Sequence, residues 1–339
     1  MSKRFAGGFF AALGIFVCIL DSRTALSGAL DGIQICLRRV VPSIFPFMVL
    51  SASLTSAISG SQGKILRPFG LLLGMPKGSE GIFLTGLLGG YPIGAQAVHQ
   101  AWSQGHLQKD QAKRMLGFCS NAGPSFIFGI LALQFSRTSL AFLLWAIHIL
   151  SALAVGMILP GKSNETEKIP VGKPITLTQS LQKSVITMGF ICGWIVLFRV
   201  VLAFLDRWIL WIFPISVQIA IHGLLELANG CCNVSQIASE SMRFVISAVM
   251  LSFGGLCVLL QTMSVTQELG IGDYLKGKII QTGASLLLAI LVQFFVFPAT
   301  DRLPVSVPFL VIFSAILLLI FVIRRKSEKK SSIPQPVGV

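Results

Sequence analysis

Charge along this chain is confined to short interruptions between long apolar runs. Stretches free of Lys, Arg, Asp and Glu cover Phe5–Leu20, Val40–Gly63, Gly81–Leu107, Met115–Ser136, Thr138–Gly161, Ser184–Phe198, Trp208–Leu225, Phe244–Gln267, Ile279–Thr300 and Leu303–Ile323. A hydrocarbon core about 30 Å thick takes roughly 20 apolar residues per helix. The pattern therefore predicts an all-α polytopic membrane protein with roughly eight to ten membrane segments, some of them re-entrant or broken. The long hydrophilic connection Lys162–Lys168, followed by Pro170 and Pro174, divides the chain into a first membrane half (1–161), a polar linker (162–175), a second membrane half (176–326) and a disordered cytoplasmic tail (327–339). Arg324, Arg325, Lys326, Lys329 and Lys330 place the C-terminus in the cytoplasm, with the Asp301–Arg302 loop outside and Lys276 and Lys278 inside. Phe5–Leu20 reads as an uncleaved first helix in preference to a signal peptide.

Composition strengthens this picture. Of 339 residues, 54% are apolar and only 12% charged, about half the soluble norm. The formal net charge of +14 would suggest nucleic acid in a soluble protein, but the basic residues sit in short loops and at the C-terminus, so topology accounts for them and no nucleic-acid partner is expected. Seven cysteines without a C-x-x-C pair give neither a disulfide framework nor a zinc site.

Three apolar stretches are interrupted by glycine, proline and small polar residues, which membrane depth tolerates only where protein or a water-filled cavity satisfies the freed backbone. The first contains Gly86, Gly89, Gly90, Tyr91, Pro92, Gly94 and Gln96; the second is Cys119-Ser120-Asn121-Ala122-Gly123-Pro124-Ser125; the third runs from Gly223 through Glu226 and Asn229 to Gly230 and Asn233. Each alone is compatible with a kinked or closely packed helix. Their order repeats, however: Gly86-Leu-Leu-Gly-Gly aligns with Gly223-Leu-Leu-Glu-Leu, and Ser120-Asn-Ala-Gly with Ser252-Phe-Gly-Gly. Paired interrupted segments are the sequence pointer to a transporter's binding site between two related halves.

Glu226 is the most informative single residue, because an acid in an apolar segment is costly and marks proton or cation coupling, or a substrate hydrogen bond, unless it pairs with Arg199 or Arg243. Asn121, Asn229, Ser120 and Ser125 are candidate ligand contacts or helix caps, and Tyr91 is a candidate contact or a rigid turn with Pro92. Gln261 and Gln293 read as interhelical glue, and His148 and His222 as satisfied histidines. Gly272-Asp-Tyr-Leu-Lys-Gly277-Lys278-Ile279 imitates a phosphate-binding loop but lacks its Ser/Thr and a preceding strand, so it reads as a charged loop. No catalytic residue, metal site or cofactor is expected, and no enzyme chemistry.

At these motifs the chain resembles the YlbJ-type sporulation integral membrane proteins of endospore-forming Firmicutes, within the wider nucleoside-recognition (Gate) domain group. The carrying residues are Val41–Phe47, Gly89–Gln96, Cys119–Gly129 and Gly223–Glu226 with Asn229 and Gly230. The resemblance implies a sporulation membrane protein of the outer forespore membrane involved in moving dipicolinic acid, and re-entrant hairpins in each half. A small anionic solute and the lipid bilayer are the implied partners, with a second copy or other sporulation membrane proteins as further candidates. A structural or recruitment protein of spore formation, or a nucleoside or metabolite exporter, are the competing readings. The chain departs from the family pattern at Gln96, where a Lys often stands, and is shorter than many members.

Overall fold

A computed structural model describes residues 3–58, 66–159, 161, 176–266 and 268–303; the expected linker, the stretch after Leu303 and the tail lie outside these. The described residues are helical and contain no strand. Six helical stretches among them are long and apolar enough to cross a membrane: Ser22–Leu54, Lys109–Gln134, Thr138–Ile158, Leu177–Trp208, Glu240–Val265 and Gly272–Val296. Shorter apolar helices cover Ala11–Leu20, Glu80–Gly89 and Ile215–Leu225.

The first half begins with α1 (Lys3–Leu20), then α2 (Ser22–Ile35), which continues through a π turn at Cys36–Val40 into α3 (Val41–Ile58). Asp21 starts α2 by accepting from the amide and hydroxyl of Thr24, and these bonds hold its carboxyl below the usual range. After the short α4 (Arg67–Leu72) come α5 (Glu80–Gly89) and α6 (Ile93–Ser103), then α7 (Lys109–Cys119), an extended break, α8 (Pro124–Phe126) with a π turn over Ile127–Leu131, and α9 (Thr138–Ile158). The second half repeats this order. It runs α10 (Leu177–Trp208), α11 (Ile215–Leu225) and α12 (Leu227–Asn233), α13 (Glu240–Phe253) and α14 (Gly255–Val265), and α15 (Gly272–Val296). Each half thus supplies a long helix, a pair of short arms, a broken helix and a final long helix.

The short arms fold back on themselves. At 1.5 Å per residue a ten-residue arm is about 15 Å long, half the hydrocarbon core. Gly86 and Gly94 face each other across α5 and α6, and an added Cβ on either would meet the Cys119 carbonyl at 1.7 or 1.9 Å. Gly223 and Gly230 do the same across α11 and α12, where a Cβ on Gly230 would lie 2.3 Å from the Gly223 Cα. Side chains are thus excluded where each hairpin closes, and the aligned glycines Gly86 and Gly223 occupy equivalent places.

Outside the hairpins, α10 packs along α2 and α3. Gly28 and Gly32, one turn apart, let the α10 backbone approach at Val196 and Val200. Arg199 then bridges Asp31 (3.1 Å) and Asp206 (3.0 Å), and His222 of α11 meets the other Asp206 oxygen at 2.6 Å.

Two expectations are corrected. The segment Gly272–Ile279 opens the 25-residue helix α15 and is no charged loop. Its apolar face and the packing of Gly277 onto Gly117 of α7 outweigh the three charges that interrupt the pattern. Trp208–Leu225 is not one segment: α10 ends at Trp208, a 3-10 turn covers Leu210–Ile212, and Pro214 opens α11.

The close α2–α10 approach makes a specific prediction. Gly32→Leu would drive a side chain into the Val196 Cα, 2.8 Å from the added Cβ, and is expected to cost about 1–3 kcal/mol, read as a lower unfolding temperature of the purified protein in detergent.

Candidate functional site

The tips of both hairpins and the first-half break meet at one crevice. Its void, open mouth included, is ≈ 520 Å³. Gly89, Gly90 and Tyr91 come from the first hairpin tip, Glu226, Leu227 and Ala228 from the second, and Ala122, Gly123, Ser125 and Phe126 from the break. Val258 and Gln261 of α14 close it, and Val40, Ile44, Ile191 and Ile195 form an aliphatic wall. The polar groups come from the interrupted segments, and the apolar wall from the long helices α3 and α10 with the π turn before α3.

Glu226 is 3% exposed and caps α12. Its carboxylate accepts from the amides of Ala228 (3.1 Å) and Asn229 (2.7 Å) and from the Asn229 side chain (2.7 Å). Neither Arg199 nor Arg243 pairs with it: Arg199 is held by Asp31 and Asp206, and Arg243 donates to the carbonyls of Ile237, Ala238 and Gln134. The carboxyl group is held by N–H groups at the helix end instead of by a cation.

The break after α7 is satisfied by its own Asn121 and by side chains from two other helices, α9 and α15. Asn121 turns its amide onto the Phe118 carbonyl (2.7 Å), and the Ala122 amide donates to His148 Nε2 (2.9 Å). Lys278 is 1% exposed, and its ammonium donates to the Ser120 carbonyl (2.5 Å), to Gln281 (2.7 Å) and to the Tyr91 hydroxyl (2.9 Å). Tyr91 in turn donates to the Leu251 carbonyl (3.2 Å), beside the second-half break, which Gly254 makes at a φ of +82°. Gln281 bonds Asn121 (3.0 Å), and Ser252, Ser285 and Ser151 continue the polar chain from His148.

The sequence-derived candidates therefore separate. Tyr91, Ser125, Glu226, Gly89, Gly90 and Gly123 line the crevice. Asn121, Asn229, Gly94 and Gly230 lie behind it, bonding or packing the segments that form it. Pro92 and Pro124 begin α6 and α8, beside the tip and the break. The Ser120 carbonyl is taken by Lys278. Gln96 is half-buried on α6 and does not line the crevice. Gln261 does line it, beyond its expected role as glue, whereas Gln293 bonds Ser241 and the Leu303 amide. Lys278 and Gln281 were missed because Lys278 sits in the segment read as a loop. The available signal was its spacing of three residues from Gln281, which puts both on one helical face.

No protein-family model matches the chain, and no solved structure does. The chain is similar to the sporulation integral membrane protein YlbJ of Bacillus subtilis (strain 168), with 27% identity over 297 residues, 74% of this chain and 72% of that protein. This supports the YlbJ-type assignment and a sporulation membrane protein.

The capping geometry separates two substitutions at Glu226. Glu226→Ala leaves the buried amides of Ala228 and Asn229 without an acceptor and is expected to lower stability by about 1–3 kcal/mol. Glu226→Asp keeps a preferred capping residue and is expected to lose less than half of that, both read by thermal unfolding in detergent.

Proposed function

We propose that this sporulation membrane protein is a transporter of a small anionic solute across the outer forespore membrane, with dipicolinic acid the solute that the family resemblance implies. The observation that carries the reading is the convergence of both hairpin tips and a broken helix on one crevice between the two halves. Hairpins that stop halfway through the hydrocarbon need a polar solute or water to face, whereas helices that merely pack do not need to stop. The crevice also offers a polar side built from short arms against an aliphatic wall, Val40, Ile44, Ile191 and Ile195, whose side chains make no hydrogen bonds to the solute or to the arms.

Glu226 gives the reading a coupling logic. A carboxylate lining the crevice opposes an entering anion, so an anionic solute and a proton enter together. The buried ammonium of Lys278, one side chain away behind Tyr91, makes the surroundings of the crevice favourable to negative charge.

The test is uptake of labelled dipicolinate into proteoliposomes holding the purified full chain under an imposed pH gradient. Saturable uptake, faster with the acidic face on the solute side and at least about tenfold slower in Glu226→Gln, is the expected result. Folded wild-type protein that takes up no dipicolinate in either gradient direction would overturn transport of this solute and turn the enquiry to recruitment of partners by the membrane protein.

A further inference from the structure

Lys278 is buried with no carboxylate within ion-pair distance among the described residues. Its three N–H bonds are used on neutral oxygens, and its charge is otherwise faced only by the rings of Tyr91 (4.9 Å) and Tyr274 (5.7 Å). An ammonium held in this way is satisfied as a donor but not as a charge, a costly condition in a membrane interior. A second observation lies beside it. The hydroxyls of Ser120, Thr262 and Tyr274 are buried together, and beyond the contacts of Thr262 and Ser120 with the Tyr274 phenol none has a hydrogen-bond partner. Native proteins leave few such groups orphaned, and those that remain ask for a missing partner.

From this cluster we infer that Lys278, Ser120, Tyr274 and Thr262 form a carboxylate-binding subsite behind Tyr91, which closes it in the present conformation. The inference rests on the anion reading of the crevice and deepens it. Tyr91 is the door because it is the residue that both lines the crevice and takes a Lys278 N–H. Swinging its phenol aside breaks two hydrogen bonds, to Lys278 and to the Leu251 carbonyl. A carboxylate entering in its place supplies an acceptor to Lys278 and to hydroxyls that now have none outside their own cluster, and it neutralises the ammonium. The subsite draws on α7's end, α14 and α15, so its occupation ties both halves to the solute.

The orphan hydroxyls give a test that separates binding from structure. The purified full chain in detergent is melted with pyridine-2,6-dicarboxylate and, as the uncharged counterpart, with pyridine-2,6-dimethanol. The wild type is expected to be stabilised by the diacid and not by the diol. Lys278→Met is expected to lose that response and Lys278→Arg to recover part of it. The double variant Ser120→Ala with Tyr274→Phe deletes hydroxyls with no hydrogen-bond partner outside the cluster, so its melting temperature without ligand should stay close to the wild-type value while its apparent affinity for the diacid falls roughly tenfold or more. It keeps the test decisive should Lys278→Met fail to fold. Wild-type response to the diacid that persists undiminished in the double variant and in a folded Lys278→Met overturns the subsite and leaves the anion reading standing. A wild type that responds to neither compound, or equally to both, overturns recognition of the charge in the crevice and the subsite with it.

Discussion

Backbone that stops being helical inside a bilayer must find its hydrogen bonds within the protein, because lipid offers none. The arrangement of this chain follows from that single requirement. At the break after Cys119, the Phe118 carbonyl goes to Asn121, the Ser120 carbonyl to Lys278, and the Ala122 amide to His148. At the second hairpin, the amides that open α12 go to Glu226. Near the second-half break the Leu251 carbonyl goes to Tyr91. These partners come from other elements in three of the six bonds, so satisfying the breaks is also what fixes the hairpins, α9 and α15 relative to one another.

Close backbone approach makes those bonds reachable. Gly277 sits against Gly117, where an added Cβ would lie 2.2 Å from the Gly117 carbonyl, and this crossing brings Lys278 beside the carbonyl of Ser120 three residues further along α7. Gly86 and Gly94 likewise admit the Cys119 carbonyl between the two arms of the first hairpin. Small residues thus do in the membrane what apolar burial does in water: they set which surfaces touch, through packing alone.

Much of this organisation was legible in the residues. Interruptions at Gly89–Gly94, Ser120–Ser125 and Glu226–Gly230 coincide with the hairpin tips and the first-half break, since glycine, proline and small polar residues are unfavourable in a lipid-facing helix and stand out against aliphatic runs. What charge-free stretches could not reveal is a charge placed inside a helix. Cutting the sequence at Lys276 and Lys278 moved the start of the last described long helix from Gly272 to Ile279, and hid the one lysine on which the first-half break depends. The same rule cut Ser22–Leu54 at Asp31, Arg38 and Arg39, although the Asp31 carboxylate is answered by Arg199 of α10. A side chain's cost in a membrane is set by its partner, and pairing over such sequence distances has no local signature.

The two ionisable residues at the centre are therefore unlike in kind. Glu226 stands where a helix begins and is answered by three N–H groups, so it fits its place without any solute. Lys278 lies at the end of α7, where the carbonyl of Ser120 points at it, which is the favourable end for a cation. That dipole and two aromatic faces offset part of its charge, but no anion completes the compensation among the described residues. A helix break needs only a donor, and a neutral amide such as that of Asn121 suffices for the neighbouring carbonyl. A lysine in the same shell brings a cationic group that the fold does not need, and a group of that kind is where a negatively charged solute finds its reason to bind.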